Sequence, residues 1–412
     1  MNSSASISRP DSASDPSHSS PEHPPGRVVG LDNHPDLFSA GILEGHHALH
    51  ARIVGGCDRQ PIDELEAWAT RHLNPSDLIV CEASSNSFEI ITRLTALGFT
   101  AICLESQRVG QIRDSHYNDD RSSAERIARI YLSGLAKVVW VPDERTRTYR
   151  ELLGAHQSAV VHATRTKNEL RAYLTEHNIR LPKGTRLTRS ETETKILESY
   201  SWDETQQLLV QGYCEAVRQA EERRLALRRT MARIICEDER MLRLMKILGI
   251  REVVAFALVA AIGDVDRFAS PKKLAAFLGV VMRRDKSGTS IDKKRGCGSG
   301  RKDMRGLLVQ SAQAILNSRK GGALREWGWR VFARRGNRNI AIIAVARKLA
   351  TQAWYELKGK APAYREASTL LRVKFTNLLS CLEKEEVKQL GFATKKEYAE
   401  FLLQTHAVEN ST

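Results

Sequence analysis

The chain has 412 residues, with 63 Lys+Arg against 49 Asp+Glu and a formal net charge of +14. At 42% hydrophobic and 27% charged it has an ordinary soluble globular composition, which excludes a membrane protein, a collagen-like fibre and a wholly disordered chain. No run of roughly 18 apolar residues is present to span a membrane, and the positive excess points to a polyanionic partner, for which nucleic acid fits better than a membrane surface.

Residues 1–26, mostly Ser, Pro, Asp and His, read as a disordered tail. From Arg27 the pattern turns β-rich. Val28–Asp32 is a short apolar strand ending in an acid, and Leu37–Leu43 and Ala48–Val54 continue a meander. Ile62–Leu73 is an amphipathic helix with Leu65, Trp68 and Leu73 on one side. Leu78–Cys81 is a strand followed by Glu82. A helix at Phe88–Leu97, a strand at Thr100–Leu104, a helix at Asp120–Leu132 and a strand at Val138–Val141 complete the region. Three strands followed by alternating helix and strand is the order of an RNase H-like α/β domain.

Residues 143–178 form a long predicted helix, and a second helical stretch runs from Thr194 to Leu248. In the latter, Tyr213, Val217, Ala220, Leu227, Met231, Ile234, Met241, Met245 and Leu248 fit a 4-3 spacing, with Arg224 and Asp238 at the two missing positions. Such a seam packs either in a coiled coil between chains or in a helical bundle within one. Further helices are expected at Val253–Ile262, Pro271–Leu278, Lys302–Asn317 and Asn339–Leu357. A charged helical tail should follow Leu371, with a helix start at Thr394. The seven cysteines are scattered, with no C-x-x-C pair. They read as reduced thiols of a cytosolic protein rather than a zinc site.

Two constellations carry chemistry. Asp32 and Glu82 end strands that are neighbours in an RNase H-like order, so their carboxylates can share Mg²⁺, which takes hard oxygen ligands. A two-metal arrangement serves phosphoryl transfer. Taken singly, each acid reads as a turn cap or a solvated strand end; together, with the strand order, the two favour the metal reading. A third acid is expected at Asp120, at the start of its helix. Its same-face partner three residues on is Ser123, a hydroxyl. Asp119 cannot substitute, because adjacent helical residues point about 100° apart.

The second constellation is the loop from Arg283 to Arg305. Its cations are Arg283, Arg284, Lys286, Lys293, Lys294, Arg295, Arg301, Lys302 and Arg305, and glycines at 288, 296, 298 and 300 let backbone approach a phosphate. Ser287, between Lys286 and Gly288, is placed either to attack a phosphodiester or simply to donate to a phosphate. Gly249-Ile-Arg-Glu before an apolar helix suggests a helix-hairpin-helix, with Arg251 where a second glycine is expected.

With these residues in view, the chain resembles the DEDD-type insertion-sequence transposases, relatives of the pilin-gene-inverting recombinases. The resemblance covers about residues 27–360. It is carried by Val29-Gly-Leu-Asp32, Cys81-Glu82-Ala-Ser, Asp120-Arg-Ser-Ser123-Ala-Glu-Arg and Val139-Trp-Val-Pro-Asp143. Further on it is carried by Ala261-Ile-Gly-Asp264-Val-Asp-Arg-Phe268, Lys273-Leu-Ala-Ala-Phe-Leu-Gly279, Ser287-Gly288, Arg305-Gly-Leu-Leu-Val-Gln-Ser311 and Val345-Ala-Arg-Lys-Leu349.

It implies a RuvC-like RNase H-fold domain at 27–142, a helical coiled-coil linker at 143–248, a mainly α-helical transposase domain at 249–371 and a charged helical tail at 372–412. It maps the family's four acids onto Asp32, Glu82, Asp120 and Ser123, where Ser123 departs from the family's Asp. It maps the nucleophile onto Ser287. The implied activity is excision and integration of a mobile element in double-stranded DNA with Mg²⁺ or Mn²⁺. The implied assembly is a homo-oligomer, dimer or tetramer, in the cytoplasm and on the nucleoid. For some members the resemblance implies a structured non-coding guide RNA. The alternatives are a repurposed nucleic-acid-binding protein, impaired by the hydroxyl at 123, and a Holliday-junction-type nuclease using the acidic domain alone.

Overall fold

The computed structural model of the protein describes residues 26–106, 120–182, 184–282, 284–287, 291–294, 297 and 300–406. The expected disordered tail lies, up to residue 25, outside them. Two compact units make up the chain, one ending at Asp143 and the other beginning at Glu144. Among the described residues no helix is long and apolar enough to cross a membrane.

The first unit is built on a six-stranded sheet. β1 (Arg27–Asn33), β2 (Leu37–Glu44) and β3 (Arg52–Pro61) form an antiparallel meander. β4 (Leu78–Glu82) pairs in parallel with β1, and β5 (Thr100–Leu104) in parallel with β4. β6 (Val138–Val139) runs antiparallel to β5, and the order is β3-β2-β1-β4-β5-β6. Side chains alternate between the two faces of a strand, and this divides the unit into two cores. Val29, Leu31, Ile79 and Cys81 pack with Trp68 of α1 (Leu65–His72) and with Ile90 and Leu94 of α2 (Ser87–Ala96). Val28, Leu43, Leu78 and Val80 pack on Ile127 and Ala128 of α3 (Asp120–Leu132).

The third strand departs from expectation. Residues 48–50 form a turn, and β3 instead runs from Arg52 through the polar residues Asp58 and Gln60. It is an edge strand, largely exposed, so no apolar alternation marks it. Gly56 gives it close access to β2, where a Cβ would stand 2.2 Å from the Ala40 carbonyl oxygen.

In the second unit α4 (Glu144–Glu176) lies antiparallel against α6 (Glu204–Glu237). Leu170 and Leu174 meet Val210 and Val217 at one end, Lys167 bonds Glu221 at 2.8 Å, and Tyr149 and Leu153 meet Met231 and Ile235 at the other. The 4-3 seam is therefore filled from within the chain. The helical stretch expected from Thr194 to Leu248 is divided into three helices: α5 (Ser190–Glu198), α6 and α7 (Glu239–Met245). Asp203 starts α6 with a capping box shared with Gln206. Asp238, the acid that interrupts the seam, is extended; it ends α6 and caps α7 by accepting from the Arg240 N–H.

α8 (Glu252–Ile262) is buried from Val254 to Ile262 and is the centre of a large apolar core. Around it pack α9 (Pro271–Phe277), α10 (Lys302–Asn317), α11 (Gly322–Arg335) and α12 (Arg338–Leu357). The Trp- and Arg-rich α11 has no clean periodicity and was not expected. α13 (Ser368–Leu379), α14 (Lys384–Gln389) and α15 (Lys395–His406), read as tail from sequence, contribute Leu371, Phe375, Leu378 and Leu402 to the same core. Thr394 caps α15 by accepting from the Glu397 N–H at 3.1 Å. The seven cysteines are free thiols, with Cys81, Cys103 and Cys214 buried.

Candidate functional site

Leu31 of β1 stands opposite Cys81 of β4 in parallel register, so the next residues, Asp32 and Glu82, lie abreast at the same edge of the sheet. Both are half-buried. Alternation puts Asp32 on the face of Val28 and Gly30, and Glu82 on that of Leu78 and Val80. This is the face that α3 covers. Gly30 lets the helix sit directly on the sheet: a Cβ there would meet the Ala124 carbonyl oxygen at 1.8 Å. At its far end Arg129 donates to the Ala48 carbonyl at 2.6 Å, in the turn that joins the start of β1 through the Gly45 N–H and Gly26 carbonyl. The helix thus runs antiparallel to β1, and its first turn, Asp120 to Ser123, arrives at the edge where Asp32 and Glu82 stand. Ser123 is half-buried; the side chain of Asp120 lies outside the described residues.

Hydrogen bonds fix this edge. Ser87, fully buried, donates from Oγ to the Glu82 carbonyl at 2.6 Å and accepts from the Ser84 N–H at 2.7 Å. Asn33, buried beside Asp32, donates through Nδ2 to Ser84 Oγ at 2.7 Å and to Asn86 Oδ1 at 2.6 Å. On the other side Ser39 is the register partner of Asp32 and is fully buried. Its Oγ donates to Asp58 Oδ1 at 3.0 Å and accepts the Arg59 N–H at 2.9 Å, at a bulge where Arg59 takes φ 47°. The sequence reading missed Ser39, Asp58 and the Asn33–Ser84 clasp. The glycine in the middle of β1 is the signal that a helix approaches there.

Hard oxygen ligands set abreast suit Mg²⁺ or Mn²⁺. Among the described residues no group of three or more His, Cys, Asp or Glu stands close enough to hold an ion, and the side chain of the third expected acid, Asp120, falls outside them. The described part of the site is therefore a pair of carboxylates, with a helix start delivered to it.

In the second unit the segment expected as a loop is a β-hairpin where it is described. β7 (Arg284–Ser287) pairs antiparallel with β8 (Ile291–Lys294), Arg284 opposite Lys294, Asp285 opposite Lys293 and Ser287 opposite Ile291. Ser287 is thus the last residue of β7, opposite Ile291. Arg283, Arg295 and residues 288–290 lie outside the described residues, as do the side chains of both strands. Beyond the hairpin the chain returns to α9. The Arg301 N–H donates to the Phe277 carbonyl at 2.9 Å, and Gly300, with φ 81°, leaves no room for a Cβ against the Ala276 carbonyl. Arg301 spends its guanidinium on Asp303 at 2.6 Å, and Arg305 Nη1 donates to the Gly279 carbonyl at 3.5 Å; Lys302 is exposed.

Comparison with known proteins matches both units. Residues 29–179 fit a DEDD-type transposase model, and residues 241–326 fit the transposase family IS116/IS110/IS902. A putative transposase y4qE of Sinorhizobium fredii is 24% identical over 66% of this chain and 73% of its own length. The transposase of insertion element IS1111A from Coxiella burnetii is 24% identical over 80% and 88%. A pilin gene-inverting protein of Moraxella bovis is 33% identical over 26% and 33%. A mixed α/β unit bearing a DEDD-type match, followed by a helical unit bearing a second transposase match, defines a DNA-processing enzyme of the transposase class. Within that class the chain is similar to the DEDD-type insertion-sequence transposases of the IS110 kind, whose two models match residues 29–179 and 241–326.

Proposed function

We propose that the protein excises and integrates a mobile element in double-stranded DNA, using an RNase H-like acidic site and a serine nucleophile, as a homo-oligomer. The observation that carries the reading is the pairing of Asp32 and Glu82 under the first turn of α3, which delivers Asp120 and Ser123 to the same edge. In this reading Asp32, Glu82 and Asp120 hold a divalent metal, with Ser123 offering an uncharged oxygen. When bound, the metal makes an oxygen nucleophilic near neutral pH and stabilises charge on the transferring phosphoryl group.

Ser287 Oγ bonds to a DNA phosphorus, the bond from that phosphorus to a deoxyribose oxygen breaks, and the serine proton leaves as the freed oxygen gains one. A second DNA hydroxyl then attacks the phosphoserine and releases the serine. The cations around Ser287 hold the phosphate and offset its growing charge. A structured guide RNA selecting the target site belongs to the same reading.

Protein trapped on a nicked substrate and mapped by mass spectrometry tests it. Wild-type protein should carry DNA on Ser287, Ser287→Ala should bind DNA without forming the adduct, and Asp32→Ala should block it with Ser287 intact. An adduct on Ser290 or Ser299 moves the nucleophile. Strand transfer with no covalent intermediate refutes the serine mechanism.

A further inference from the structure

At one end of the α4–α6 hairpin, where α4 gives way to the loop before α5, lies a cavity of about 530 Å³. Its lining mixes polar and apolar surface and includes Leu174 and Leu187, both buried. Its walls carry Arg171 from α4 and Arg180 from the loop, and Arg186 stands exposed between the lining residues Thr185 and Leu187. Among the described residues no carboxylate lines it. Of the carboxylates in the neighbouring helices, Glu169 pairs with Arg165, Glu221 with Lys167 and Glu193 with Arg218, while Glu176, next to the lining residue Thr175, is exposed and does not line the cavity. Among the described residues none of the three arginines makes an ion pair.

The loop is well held. Asn178 takes φ 60°, and the Ile179 N–H returns to the Leu174 carbonyl at 2.9 Å. Thr185 Oγ donates to the Pro182 carbonyl at 2.7 Å, and Thr192 Oγ to the Arg186 carbonyl at 2.9 Å. Three like charges are thus gathered by backbone structure around a hollow that, among the described residues, no carboxylate lines and that leucine side chains partly floor.

A phosphate alone needs the charges but not the hollow. Duplex DNA presents phosphates on a convex surface and keeps its bases stacked inside. An unpaired nucleotide offers both an anionic phosphate and a flat apolar body free to leave the stack. We propose that this cavity binds one unpaired nucleotide of a single-stranded nucleic acid, its phosphate held by Arg171, Arg180 and Arg186 and its base laid against Leu174 and Leu187. Phosphate and base are common to DNA and RNA. Thr175 and Thr185 donate their hydroxyl protons to the Arg171 and Pro182 carbonyls, which leaves each hydroxyl oxygen able to accept from a ribose 2′-hydroxyl.

The test uses the full chain with three labelled probes: an oligothymidylate, an oligouridylate of the same length and a duplex. In the Arg180→Gln/Arg186→Gln variant, with folding checked by its melting curve, affinity for the single strands should fall. The slope of log affinity against log salt should become shallower by about 0.7 per lost contact. Duplex binding should hold. Equal losses on both single strands support the nucleotide site for either sugar, and a greater loss on oligouridylate supports it for RNA. Unchanged single-strand binding, or an equal fall on the duplex, overturns it. No cleavage is measured, so failure here leaves the Ser287 reading untouched.

Discussion

Replacing Gly30 by Ala tests how tightly the acidic edge depends on the seating of α3. The new Cβ would stand 1.8 Å from the Ala124 carbonyl oxygen, and 2.9 Å from both the Ala124 carbonyl carbon and the Ala128 nitrogen. These are backbone atoms of a helix and cannot rotate away. Non-bonded contacts to carbon settle near ~3.5 Å, so the helix must withdraw by roughly 1.5–2 Å. Overpacking of this kind costs about 1–3 kcal/mol.

The functional cost should be larger than the loss of stability implies, because the withdrawn helix carries Asp120 and Ser123 away from Asp32 and Glu82. A misplacement of ~1 Å at reacting groups can cost on the order of 100-fold. Gly41→Ala is the internal control. It meets the Glu125 Cγ at 2.7 Å, a flexible side chain that can swing aside, although the Glu125 backbone lies 3.1 Å away. Thermal unfolding by circular dichroism, Mn²⁺ binding by electron paramagnetic resonance and DNA cleavage should rank wild type above Gly41→Ala above Gly30→Ala. A Gly30→Ala protein with wild-type melting, metal binding and cleavage would refute the argument that α3 completes the site.

Three further outcomes are expected. Lys374 is buried; its Nζ donates to the carbonyls of Met245, Ile247 and Ile250 at 2.7–2.9 Å and pairs with Glu366 at 2.8 Å. Lys374→Met should therefore cost about 3–5 kcal/mol in urea unfolding by stranding the carboxylate, and adding Glu366→Gln should recover part of it. Burial pushes the His156 and His406 imidazoles below the ordinary value, aided by Arg224 and Arg228 for His156 and by Lys246 and Arg243 for His406. Both are neutral in the fold, and the unfolded chain takes up the extra protons below about pH 6.5. Their contribution is thus complete above that pH and is lost as pH falls through the depressed values, so His156→Leu should flatten the acid limb of the unfolding midpoint. Finally, Ser123→Asp adds a charge at the proposed metal site and should lower the Mg²⁺ concentration for half-maximal activity; lower activity at unchanged metal demand would show a site built around a hydroxyl.

Local pattern determined much of this protein. The strand-end acids Asp32 and Glu82, the apolar helix α8 and the cap at Thr394 each rest on a few consecutive residues, whose alternation, hydrophobicity or capping chemistry acts within one element. The breaks in the long helical stretch were also written locally, in Asp203 and Asp238, but an acid in a helical stretch reads as a surface residue until its side chain is seen on a backbone N–H.

Other features were decided only in three dimensions. Whether the seam of α6 meets another chain or α4 depends on which apolar face reaches it first, and Leu170, Leu174, Tyr149 and Leu153 do so within the chain. The exposed edge strand β3 carries no burial pattern, so its bounds follow from hydrogen bonding to β2, and with them the place of Asp58 beside Ser39. The acidic edge itself is long-range. Asp32, Glu82 and the start of α3 are separated by dozens of residues, and register between β1 and β4, together with the space left at Gly30, puts them side by side.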